Sequence, residues 1–182
     1  MTLTRNNAGP VAIAVAALAL LAASPAAAQR TYQVAGRQVI VNEDAGTYKM
    51  RGGLRGDFAV TSFKELATEP LYRAEGTERF RGCLDRRRDR SCAGDPSGTL
   101  SFSFLYWGKF GPGDSLVWGS CWHPVVSGTG AFAGAEGVLT MVDSPTESGG
   151  VSTRYVGSIT LAGRAVKARH RARGAAAARR AC

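Results

Sequence analysis

The sequence predicts an all-β protein, an eight-stranded antiparallel closed β-barrel, from three observations. Strand-like apolar runs recur eight times with turn residues between them, and no helical periodicity of useful length interrupts them before the C-terminal tail. The stretch Cys121 to Met141, CWHPVVSGTGAFAGAEGVLTM, is strand, glycine turn and strand again, with glycines dense enough to mark tight turns, bulges and close backbone approach. Eight strands is the number a small closed barrel takes.

Taken in order, residues 1–28 open with Arg5 in a short polar start. An uncharged run from Val11 to Ala23 follows, then Pro25 and the small residues Ala26, Ala27 and Ala28. This is the pattern of a cleaved secretory signal helix, since spanning a membrane takes about 20 apolar residues. The expected organisation is therefore a signal peptide over 1–28, a barrel domain over 29–163 and a basic Ala/Arg-rich tail, mobile or helical, over 164–182. The expected location is secreted or periplasmic.

Strands are expected at Tyr32–Val41, Gly46–Leu54, Phe58–Leu66, Leu71–Cys83, Thr99–Trp107, Ser115–Val126, Gly130–Val142 and Thr153–Leu161. The breaks between them fall at Glu43–Ala45, Gly56, Thr68–Pro70, Gly94–Gly98, Gly108–Asp114, Ser127–Gly130 and Ser144–Gly150, each carrying residues that favour turns. Alternation sorts side chains into faces. Phe102, Phe104 and Tyr106 share one side of their strand. Leu116, Trp118, Ser120 and Trp122 point one way on the next, with Val117, Gly119, Cys121 and His123 opposite. Both faces are partly apolar, as expected where a filled barrel also has an outer face covered by a loop or a partner subunit.

The run GTGAFAGAEG, followed by Tyr155, Val156, Gly157, Ser158 and Ile159, resembles the glycine-rich signature of dirigent proteins and allene oxide cyclases. The similarity extends from about Trp118 to Leu161, with Ser127 where the family usually begins its glycine pair. It implies a bacterial secreted member of that barrel superfamily. The family's catalytic and cavity residues have no matching positions here, so the resemblance implies the fold and leaves the activity open.

The formal charge of +9 is unevenly placed. Arg5 carries one charge, and seven lie on Arg164, Lys167, Arg169, Arg171, Arg173, Arg179 and Arg180, which leaves the barrel near +1. The tail suits an anionic envelope surface. Without interleaved aromatics to stack on bases, it predicts no specific nucleic acid.

Four cysteines remain after the leader: Cys83, Cys92, Cys121 and Cys182. Export favours disulfides. A Cys83–Cys92 bridge closes the charged loop Leu84 to Ser91 and is worth about 2–3 kcal/mol by loop entropy, against about 4 kcal/mol for Cys83–Cys121. Proximity in sequence selects Cys83–Cys92, with Cys182 left to stay free, pair with Cys121 or join another chain.

Several function classes lack their motifs. No G-x-S-x-G turn, phosphate-binding glycine loop or metal-ligand spacing occurs, so serine hydrolysis, nucleotide binding, metals and cofactors are not expected. His123, the barrel's one histidine, is a candidate for proton transfer, weighed against a histidine that only hydrogen-bonds at a strand end. Glu78 is a second. It shares a side with Phe80, so if Phe80 faces the lumen, Glu78 is a carboxylate in an apolar cavity, and otherwise Arg79 and Arg81 line it. Phe102, Phe104, Tyr106, Trp118 and Trp122 are the expected ligand contacts. The expected function is binding of a small apolar ligand without catalysis, by a chain that can form homo-oligomers. The alternatives are an envelope-associated module with a filled barrel and a cofactor-independent isomerase or cyclase.

Overall fold

The computed structural model describes residues 29–163. The expected signal segment and the basic tail with Cys182 lie outside the described residues. Eight strands form one closed antiparallel barrel in simple sequential order. They are β1 (Arg30–Asn42), β2 (Thr47–Gly52), β3 (Leu54–Ala67), β4 (Tyr72–Leu84), β5 (Ser97–Phe110), β6 (Leu116–Gly130), β7 (Glu136–Pro145) and β8 (Val151–Leu161). Closure comes from β1 pairing with β8, from Arg30 opposite Leu161 to Gln38 opposite Thr153. A closed sheet leaves no unpaired edge.

The eight strands stand where the alternation places them, with two shifts at their ends. Gly56 does not break the chain. It lies inside β3 with φ +153, pressed against Arg81 of β4, and the turn sits at Gly53 instead. Likewise Ser127–Gly130 belongs to β6, and the turn follows at Ala131–Ala135. Cross-strand pairing of Gly98 with Gly130 and of Leu100 with Gly128 extends the ladder through glycines that local propensity would assign to a loop.

The glycine-rich turn is a plug. Phe132 is fully buried against Phe80, with ring centroids 6.2 Å apart in an edge-on arrangement. A Cβ at Gly128 would stand 2.1 Å from the Phe132 carbonyl oxygen, so only glycine lets the turn fold back that closely.

The barrel has a packed end and an open end. Phe58, Phe80, Leu84, Leu100, Phe132, Leu139, Tyr155 and Ile159 fill the half reached by the β2–β3, β4–β5 and β6–β7 connections. There the Tyr155 hydroxyl donates to the Leu54 carbonyl at 3.0 Å and accepts from the Leu54 amide at 2.9 Å, tying β8 to β3 across the core. The loop after β4 is held by the Cys83–Cys92 disulfide, the pairing that sequence proximity selects. The opposite half contains a cavity.

Candidate ligand cavity

The cavity has a volume of about 670 Å³ and opens beside the β1–β2 turn at Glu43–Gly46. Its wall is built by the inward positions of several strands: Val60 and Phe63 of β3, Phe104 of β5, Leu116 of β6 and Met141 of β7. Tyr72, at the start of β4, packs edge-on against Phe110 at 5.6 Å and Tyr106 at 6.0 Å, which makes the rim aromatic.

The polar groups gather deeper. Phe80 faces the core, so alternation along β4 turns Glu78 inward and Arg79 and Arg81 outward. Along β6 the same alternation turns Cys121 and His123 inward. From these two strands, which flank β5, His123 Nε2 comes within 2.8 Å of Glu78 Oε2. The contact is close, yet Glu78 Oε2 and His123 Nδ1 both lack an aligned hydrogen-bond partner among the described residues. His123 is 1% exposed and seated among the rings of Phe58, Phe102 and Phe104, at centroid distances of 6.3, 6.4 and 6.1 Å. These rings separate the cavity from the packed half. His123 is thus in mid-strand on the cavity floor, rather than at a strand end.

Asp143 of β7 adds a second carboxylate. Burial raises its pKa above the ordinary carboxylate range, opposed by the Thr153 hydroxyl, which donates to it at 2.5 Å, and by nearby His123 and Tyr106. Burial is also the largest cause of the raised pKa values of Tyr48, where Glu78 adds to it, and of Tyr106, where Asp143 does. The Cys121 thiol, buried beside Glu78 and Asp143, is held well above the usual thiol range for the same reason. At neutral pH both tyrosines and the thiol stay protonated, so the floor presents hydroxyl donors next to two carboxyl groups and an imidazole.

The residues expected to touch ligand divide into three sets. Phe104 and Tyr106 line the cavity. Phe102 is fully buried beneath it, in the ring cluster that supports His123. Trp118 and Trp122 are on the outer surface, 40% and 49% exposed, because the face of β6 carrying Gly119, Cys121 and His123 is the one that turns inward. Asp143 and Tyr48 were not singled out from the sequence. Asp143 was within reach of period-two reasoning, since Leu139 and Met141 point inward and Asp143 continues their face.

No protein-family model matches the chain, and no curated protein matches it.

Proposed function

We propose that the barrel binds a small, mainly apolar ligand in the open half of its lumen, and that binding rather than turnover is its activity. The cavity carries this reading: its volume of about 670 Å³ lies in the range of small-molecule pockets. Val60, Phe63, Phe104, Leu116 and Met141 supply apolar contact, while Glu78, His123, Asp143 and Tyr106 would orient a hydroxyl or amine on the ligand. An envelope module with a solid barrel has no use for this space, which favours the binding reading over it. The closed eight-stranded architecture is consistent with the dirigent and allene oxide cyclase superfamily, and the GTGAFAGAEG run supports that affiliation.

Native mass spectrometry of protein purified from its own host tests the proposal. A small-molecule adduct is expected on the wild-type chain and diminished in Val60→Trp, whose indole projects into the cavity and takes up part of its volume. An adduct undiminished in Val60→Trp would place the ligand elsewhere.

The 2.8 Å approach of His123 to Glu78 favours a second reading, a cofactor-independent isomerase or cyclase in which this pair moves a proton on the bound molecule. With the recovered ligand as substrate, Glu78→Gln and His123→Ala would abolish turnover and leave binding within a few-fold. Loss of neither returns the reading to binding alone.

Export through the segment at 1–28 and contact of Arg164 to Arg180 with an anionic envelope surface belong to the same proposal. Salt-dependent retention on anionic vesicles, lost when the chain is truncated after Gly163, is the expected behaviour. Exposed Trp122 and Val156, each opposite Thr140 on the outer wall, support a homo-oligomer, which sedimentation would detect.

A further inference from the structure

At the packed end, far from the cavity, three carboxylates lie close together. Asp85 and Asp89 lie in the loop closed by Cys83–Cys92, and Asp95 follows it. One ligand oxygen from each lies within 4.8 Å of the others.

Each carboxylate is gripped by an arginine on one side. Arg55 Nε meets Asp85 Oδ2 at 3.5 Å, Arg86 Nε meets Asp95 Oδ1 at 3.0 Å and Arg87 Nε meets Asp89 Oδ2 at 3.5 Å. The Arg90 amide also donates to Asp85 Oδ2, and the Ser91 amide to Asp89 Oδ1. These contacts fix the carboxylates, engaging both oxygens of Asp89 and leaving one oxygen each of Asp85 and Asp95 unspent. Asp85 Oδ1 and Asp95 Oδ2 are buried with no partner among the described residues, on side chains only 2% and 0% exposed. A buried acceptor without a donor is costly, and in a native fold an ordered water or an ion commonly satisfies it.

We infer that Asp85, Asp89 and Asp95 form a calcium site that locks the disulfide loop onto the closed end of the barrel. The donor set is all oxygen, which selects a hard cation. Oxygens sharing one calcium at about 2.3–2.6 Å lie no more than about 5 Å apart, a limit that the three carboxylates meet. Magnesium demands regular geometry, keeps most of its water and uses one or two carboxylates, whereas calcium accepts three from an irregular loop. Asp89 is half-exposed, which leaves water access to complete the shell. Arg88 and Arg90 stand close by without acidic partners among the described residues. Their charge weakens the site, so the affinity belongs at the weak end known for extracellular calcium modules, with a dissociation constant on the order of 10⁻³ M.

Calorimetric titration of calcium chloride into the full chain, first stripped with a chelator, tests the site. Saturable binding in that range is expected, with magnesium at least tenfold weaker, and about 10 mM calcium raising Tm by roughly 3–5 °C. Asp89→Asn, at an exposed position that tolerates change, weakens calcium binding about tenfold, while Asp114→Asn at the opposite end leaves it unchanged. Asp95→Asn replaces one carboxylate oxygen by an amide nitrogen, which cannot bind a cation, and removes the charge. On this account it abolishes the calcium response. If water alone satisfies the buried oxygens, the wild-type chain shows no calcium response. Absence of saturable binding up to about 10 mM, or an Asp89→Asn response equal to wild type, overturns the inference and leaves the oxygens to water.

Discussion

His123 Nε2 and Glu78 Oε2 lie 2.8 Å apart on the floor of the cavity, carried by two strands that are not neighbours in the sheet. Their meeting depends on the whole curvature of β4, β5 and β6, and it places the most polar pair of the lumen against the Phe58, Phe102 and Phe104 rings. Coupling between the two side chains is measurable. A double-mutant cycle with Glu78→Gln and His123→Gln, followed by urea denaturation, should give an interaction energy of about 1 kcal/mol. Additive effects would mean that the two side chains act independently.

Tyr155 ties β8 to β3 through its hydroxyl, and burial pushes its pKa up to about 12. Tyr155→Phe leaves the buried Leu54 amide and carbonyl without that partner and should cost about 2 kcal/mol in urea denaturation. A loss under about 0.5 kcal/mol would show that water replaces the hydroxyl.

Asp143 makes the stability pH-dependent in a defined direction. Its folded pKa is raised by burial, so the fold prefers the protonated acid over the carboxylate. The contribution is fully present below the ordinary carboxylate range near 3.8 and is lost as pH climbs through the raised value. Asp143→Asn, which still accepts from Thr153, should therefore gain stability relative to wild type between about pH 4 and pH 7. Thermal denaturation across that window checks it, and a flat difference would contradict the burial argument.

Removing the Cys83–Cys92 bridge by Cys83→Ala with Cys92→Ala should cost about 2.5 kcal/mol, the loop entropy for a sequence separation of 9. Equilibrium unfolding of the oxidised chain and the double variant gives the value directly. The Cys121 thiol, unpaired among the described residues, buried and held protonated, should resist alkylation in the native protein and react on unfolding.

Much of the barrel was legible because alternation and turn chemistry agree along most strands, as in Phe102, Phe104 and Tyr106, all of which face inward. Alternation divides a strand into two faces without saying which is the lumen. On β6 the tryptophans suggested one answer, and packing chose the other, since Gly119, Cys121 and His123 fit against Tyr106 and the phenylalanine rings where two indoles would not. The Glu78 alternatives were resolved by Phe80, whose inward direction is a property of the closed sheet rather than of the local sequence. Asp85 and Asp89 fall in the charged loop Leu84 to Ser91 and Asp95 in the separate break Gly94–Gly98, and only the folded disulfide ring brings the three together.

The lumen as a binding site is tested most directly by fluorescence titration with the neutral probe N-phenyl-naphthylamine against three chains: wild type, Val60→Trp and Trp122→Ala. Saturable enhancement in wild type and in Trp122→Ala, with weaker binding in Val60→Trp, is the predicted result. Binding unchanged in Val60→Trp, or lost with Trp122, would contradict it and move the apolar site to the outer wall.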